Sequence, residues 1–122
     1  MEFLEKRRYK RFNTKGRVVL KPEDGTARSI TADLVDVNFL GLGVNAQEKI
    51  EPDISVQSEL EHRFWSEPIV AQGKIKHTQE IKKPDSRLFR MGIEFTNIDQ
   101  KTIKNFVNRI QSDISSKLKK RR

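Results

Sequence analysis

The chain has no cysteine, one tryptophan, one tyrosine, two histidines and no long apolar run in its 122 residues. Without cysteine there are no disulfides, no thiol catalysis and no Cys-ligated zinc. His62 and His77 are the only histidines, fifteen positions apart with no ligand-like pattern between them, so no metal site is expected. No apolar run is long enough to span a membrane. The N-terminus lacks the apolar core of a secretion signal, and the cytoplasm is the expected location. No nucleophile stands beside a plausible base and no Gly-Lys phosphate-cradling loop occurs, so no enzyme is expected.

Positive charge is abundant. The formal net charge is +8, from 25 basic and 17 acidic residues. Residues 1–21 hold eight basic groups and two acids, and Lys117–Arg122 holds five basic groups and no acid. The remaining body keeps 12 basic and 15 acidic residues, a net of −3. A nucleic-acid-binding barrel carries its basic groups across a folded face. Basic ends on a mildly acidic body disfavour that reading. The length suits one domain with its own modest core.

Periodicity predicts about six short strands followed by one helix. Val18 and Leu20 alternate with Arg17, Val19 and Lys21, and Pro22-Glu23-Asp24-Gly25 reads as a hairpin turn. Ile30, Ala32 and Leu34 share one strand face before the pattern slips to Val35 and Val37. That slip predicts a bulge near Leu34-Val35, turning Asp36 and Asn38 outward together. Leu42, Val44 and Ala46 mark a third strand, and Glu48–Asp53 reads as a polar connection. Val56, Leu60 and Phe64 suggest a fourth strand of imperfect period. Ile69, Ala71, Gly73, Ile75 and His77 make a fifth, with His77 expected at the barrel end. Phe89, Met91, Ile93 and Phe95 make a sixth. Ile103, Phe106, Val107, Ile110, Ile114 and Leu118 then recur at three and four, an amphipathic helix with Asp99 as N-cap. The expected organisation is one domain over 1–122: a mobile basic arm over 1–11, an antiparallel barrel over 12–96, a helix over 99–118 packed on one opening or edge, and a basic tail over 119–122. Trp65 is expected to cap the barrel or cover a loop.

Two stretches carry ligand chemistry. Arg7 and Arg11 are four apart, so they share a face in a strand or a helix. Paired guanidinium forks suit phosphates, the guanine O6/N7 edge and base stacking. Asp36-Val37-Asn38-Phe39-Leu40-Gly41-Leu42-Gly43 offers a carboxylate, an amide and bare glycine backbone. A carboxylate such as Asp36 accepts from the N1–H and N2–H of guanine. Together the stretches could read a ligand containing phosphate and guanine. Taken alone, the arm reads as solvated charge, Asp36 and Asn38 as a turn pair, and the tail as a solubilising end.

In these two stretches the sequence resembles the PilZ domain family, bacterial receptors for cyclic di-GMP. The family's RxxxR motif is matched by Arg7-Arg8-Tyr9-Lys10-Arg11. Its [D/N]xSxxG motif is matched by Asp36-Val37-Asn38-Phe39-Leu40-Gly41, and Phe89–Phe95 is similar to its usual last strand. The resemblance covers nearly the whole chain. It implies an all-β-dominated fold, a six-stranded antiparallel PilZ-type β-barrel with a C-terminal helix. It implies a cyclic di-GMP site of Lys6, Arg7, Arg8, Arg11, Asp36, Asn38 and Gly41, with no cofactor and no metal. Arg7 and Arg11 would take phosphates and guanine edges, Asp36 would take guanine, and Gly41 would let the chain turn beneath the base. Lys6 stands where the family often places a basic residue associated with a stacked pair of ligands. The output would be a surface read by an effector protein of a motility, adhesion or polysaccharide-export system. Asn38 departs from the family serine: it keeps both hydrogen-bonding capacities but is longer. A second reading, an adaptor that works by protein contact without nucleotide, rests on that departure. A small basic barrel for nucleic acid is the third.

Overall fold

Inward alternation of apolar residues closes the chain on itself. In the computed structural model, which describes residues 10–120 and side chains as far as Lys117, six strands precede one helix. The strands are β1 (Phe12–Pro22), β2 (Ile30–Val37), β3 (Gly41–Ala46), β4 (Ser55–Glu61), β5 (Ile69–Lys83) and β6 (Ser86–Asn97); the helix is α1 (Gln100–Lys120). Lys6, Arg7 and Arg8, the rest of the arm before Lys10, the Leu118 side chain and the end of the basic tail lie outside what is described. The strands pair antiparallel in the closed order β1-β2-β3-β6-β5-β4. Closure leaves no open edge strand within the ring.

The core follows the expected alternation. Val18, Leu20, Ile30, Ala32, Leu34, Val37, Leu42, Val44, Ile75, Met91 and Ile93 are buried inside. The register between β2 and β3 shifts between Leu34 and Asp36, which is the expected bulge. Three local expectations change. β4 buries Val56, Ser58 and Leu60 and ends at Glu61, so Phe64 belongs to the loop beyond it. Ser58 is a polar residue at a core position; its hydroxyl donates to the Ala71 carbonyl at 3.1 Å, and that hides the strand period. The Asp-Gly turn is part of a longer link from Glu23 to Ser29. There Gly25 takes φ +85° and Asp24 accepts from the Thr26 backbone and hydroxyl. Those hydrogen bonds hold the Asp24 carboxyl below its usual range. The connection after β3 is not wholly polar, because Ile50 is fully buried.

Helix α1 starts where Asp99 accepts from the Thr102 backbone N–H at 3.0 Å, the expected N-cap. The same bonds lower the Asp99 pKa. Its stripe of Ile103, Phe106, Val107 and Ile110 is buried against the barrel core. Trp65 meets Phe106 edge-on at 5.8 Å, and His62 meets Phe106 edge-on at 5.0 Å. The Arg63–Asp113 ion pair, 3.1 Å, ties the same loop to the helix from outside.

Candidate functional site

The bulge in β2 decides where Asp36 points. Leu34 pairs with Val44 and Asp36 with Gly43, so Val35 is the extra residue and Asp36 reaches the outer face of the barrel. It does not stand free there. The residue is 8% exposed, because its carboxylate lies flat over Gly43. A Cβ at Gly43 would stand 2.5 Å from Asp36 Oδ1, closer than any real contact allows. Glycine at 43 is therefore what lets the carboxylate lie down.

Arg11 covers the carboxylate from the other side. Its Nη1 donates to Asp36 Oδ1 at 2.9 Å across 25 positions of sequence. The end of the basic arm and the start of the second motif thus meet directly. The Arg11 side chain is about half exposed, so this pair sits at the solvent boundary. Such pairs contribute about 0.2–1 kcal/mol, a small cost for a ligand to exchange.

Asn38 lies just beyond β2 in the turn to β3, 7% exposed rather than turned outward beside Asp36. Its Oδ1 accepts from the backbone N–H groups of Leu40 and Gly41 at 2.8 and 2.9 Å. The Asn38 N–H donates to the Gly41 carbonyl at 3.0 Å and closes the turn. At Gly41 a Cβ would collide with the Ile93 carbonyl oxygen of β6. The first residue of β3 is therefore glycine because β6 passes too close for a side chain. Leu40, between these two, is the more exposed of the turn residues at 39%.

A groove of about 1080 Å³ runs from Asp36 between the outer face of β1–β3 and the second half of α1. Asp33, Asn45, Arg90, Asp113 and Lys117 line it with Asp36. Arg90 Nε donates to Asn45 Oδ1 at 2.7 Å, which holds its guanidinium on this face. The sequence reading did not single out Arg90 or Asn45. The available signal was their outward phase, opposite buried Met91 and Val44 on strands already recognised.

In the sequence His62 stands out only as a possible metal ligand. It is a buried structural residue. Its Nδ1 accepts from the Phe64 N–H at 3.2 Å, so the proton is on Nε2, which donates to Thr14 Oγ1 at 2.8 Å. Burial pushes its pKa down, Arg63 adds to that, and Asp113 opposes it. His77 is not at the barrel end. A second register shift, between Ile75 and His77 in β5, turns it onto the outer face, where it is exposed. Among the described residues no group of three or more His, Cys, Asp or Glu could hold a metal ion, and no helix is long and apolar enough to cross a membrane.

This arrangement has relatives. The sequence profile of the PilZ domain matches residues 5–111. Among solved structures, the PilZ domain of YcgR from Escherichia coli with c-di-GMP superposes with a TM-score of 0.73 at 14% identity, covering 93% of this chain and 97% of that one. The inhibitor of motility MotI/DgrA of Bacillus subtilis gives 0.62 at 18% identity, over 93% of this chain and 52% of that one. No curated protein sequence matches the chain. The six-stranded closed barrel, the following helix and the profile over most of the sequence lead to one conclusion: the chain belongs to the PilZ domain family, a family of cyclic di-GMP receptors and adaptors rather than enzymes.

Proposed function

We propose that this chain is a cyclic di-GMP receptor that clamps the dinucleotide between its N-terminal basic arm and the outer face of β2–β3, and passes the signal to a partner protein in the cytoplasm. The observation that carries the reading is the Arg11–Asp36 ion pair, which joins the RxxxR motif to the DxNxxG motif at 2.9 Å. Ligand would exchange with that pair. Arg11, with Arg7 and Arg8 and with Lys6 before them, would turn its fork to phosphate and the guanine O6/N7 edge. Asp36, released from Arg11, would accept from guanine N1–H and N2–H. Each such charge-assisted bond contributes about 1.5–3 kcal/mol, against about 1 kcal/mol or less for the exposed ion pair it replaces. Gly41 and Asn38 would hold the turn beneath the base. The output would be the changed surface made when arm and ligand occupy this face.

One observation favours the second reading, an adaptor without nucleotide. The Asn38 oxygen, which stands in place of the family serine, is engaged by two backbone amides of its own turn. Calorimetric titration with cyclic di-GMP at physiological salt separates the two. The receptor reading expects micromolar or tighter binding, lost in Arg11→Ala and absent with cyclic GMP. No heat and no binding at high ligand would leave the adaptor reading.

A further inference from the structure

The outer face next to the Arg11–Asp36 pair holds a second built feature. Asp36 of β2 pairs with Gly43 of β3, Gly43 with Gly92 of β6, and Gly92 with His77 of β5. These four residues form one row on the outside of the barrel. The adjacent inward row is Val37, Leu42, Ile93 and Ile75, all buried. The two middle members have no side chains and the two end members carry the chemistry.

Both ends are set by bulges. One shift, between Leu34 and Asp36, brings the carboxylate to this face; the other, between Ile75 and His77, brings the imidazole to it. Bulges re-aim side chains beside functional sites. Both end residues then lie inward along the row. The Asp36 carboxylate occupies the space over Gly43, and the His77 ring occupies the space over Gly92. Directly paired positions carry their Cβ sites about 5 Å apart, so carboxylate and ring are neighbours above a glycine floor. His77 is exposed, so the ring has one side against backbone and the other toward solvent.

We infer that His77 is a ligand-contacting residue of this site, a flat platform on which the purine whose edge meets Asp36 rests its face. The inference rests on the receptor reading and deepens it. The chemistry required is a planar base that offers donors at one edge to a carboxylate and an aromatic face to an imidazole. Gly92 is a positioning residue: its lack of a side chain keeps the ring flat.

Binding of cyclic di-GMP is measured for the unaltered chain, Arg11→Ala, His77→Ala, His77→Phe, His77→Lys and Gly92→Ala. Aromatic–base stacking contributes about 1–3 kcal/mol per base. His77→Ala and His77→Lys are therefore expected to weaken binding by about tenfold, while His77→Phe stays within about threefold. Gly92→Ala, whose methyl displaces the ring, is expected to weaken binding as His77→Ala does. Unliganded thermal midpoints of the His77 variants are expected to match the unaltered chain, because the residue is on the surface. Binding lost in Arg11→Ala but unchanged in His77→Ala would keep the receptor reading and overturn this one. Rescue by lysine and not by phenylalanine would also overturn the platform, in favour of a charge contact. Absence of binding by the unaltered chain would overturn both.

Discussion

Gly41 and Gly43 stand two positions apart and are constrained by different neighbours. A methyl at 41 meets the Ile93 carbonyl, which is backbone and cannot give way; a methyl at 43 meets the end of the Asp36 side chain, which can. Gly41→Ala is expected to destabilise by about 1–3 kcal/mol or more through overpacking, read as a lowered urea midpoint. Gly43→Ala should leave that midpoint close to the unaltered value while displacing the carboxylate and weakening ligand. His62 makes a separate residue-scale prediction. Its folded pKa lies below the ordinary 6.5, so the unfolded chain binds the proton more readily. The contribution of neutral His62 is complete above about pH 6.5 and is lost as pH falls through the lower folded value. Protonation would set an Nδ1–H against the Phe64 N–H. Denaturant midpoints at pH 7.5 and 5 should therefore fall more for the unaltered chain than for His62→Gln. Equal falls would remove His62 as the cause.

At the scale of elements, the helix is held mainly by its apolar stripe. Phe106 is fully buried, with His62 and Trp65 both edge-on to its ring. Phe106→Ala should cost about 3–5 kcal/mol. Because Trp65 is the chain's single tryptophan, its fluorescence should report the altered packing directly. Unchanged emission and an unchanged midpoint would contradict this account of helix docking. The helix was legible because its period was unbroken and Asp99 supplied the cap. The first bulge was legible because a strand pattern cannot change face without one. The β5 bulge was not, since Gly73, Ile75 and His77 keep apparent alternation while the register shifts beneath it. Phe64 was drawn into β4 because Ser58, inward and hydrogen-bonded, broke the apolar count. Of the candidate site, the meeting of Arg11 with Asp36 and the close backbone approach at Gly41 were readable from residue chemistry and spacing. The Asn38 contacts were not, because its acceptors and donors are set by the turn's backbone, which a motif does not encode.

For the whole molecule, charge at the two ends and a mildly acidic body separate a ligand clamp from a nucleic-acid surface. Occupation of the folded state at one hundred times Kd stabilises by about 2.7 kcal/mol. For a domain of this size that is a rise of roughly 10 °C in thermal midpoint. Cyclic di-GMP should produce that rise, and short nucleic acids should not. Between 50 and 200 mM salt the dinucleotide's affinity should fall roughly tenfold or less. A protein making many phosphate contacts loses about a thousandfold or more over that range. A steep loss would favour the nucleic-acid reading. The direct test of the clamp is to follow backbone amide resonances during titration with cyclic di-GMP. The account predicts saturable shifts at Arg11 and along Asp36–Gly43 on the outer face of β2–β3, with the opposite end of the barrel around the Glu23–Ser29 link unmoved. No shifts at millimolar ligand, or shifts confined to the Glu23–Ser29 end, would contradict it.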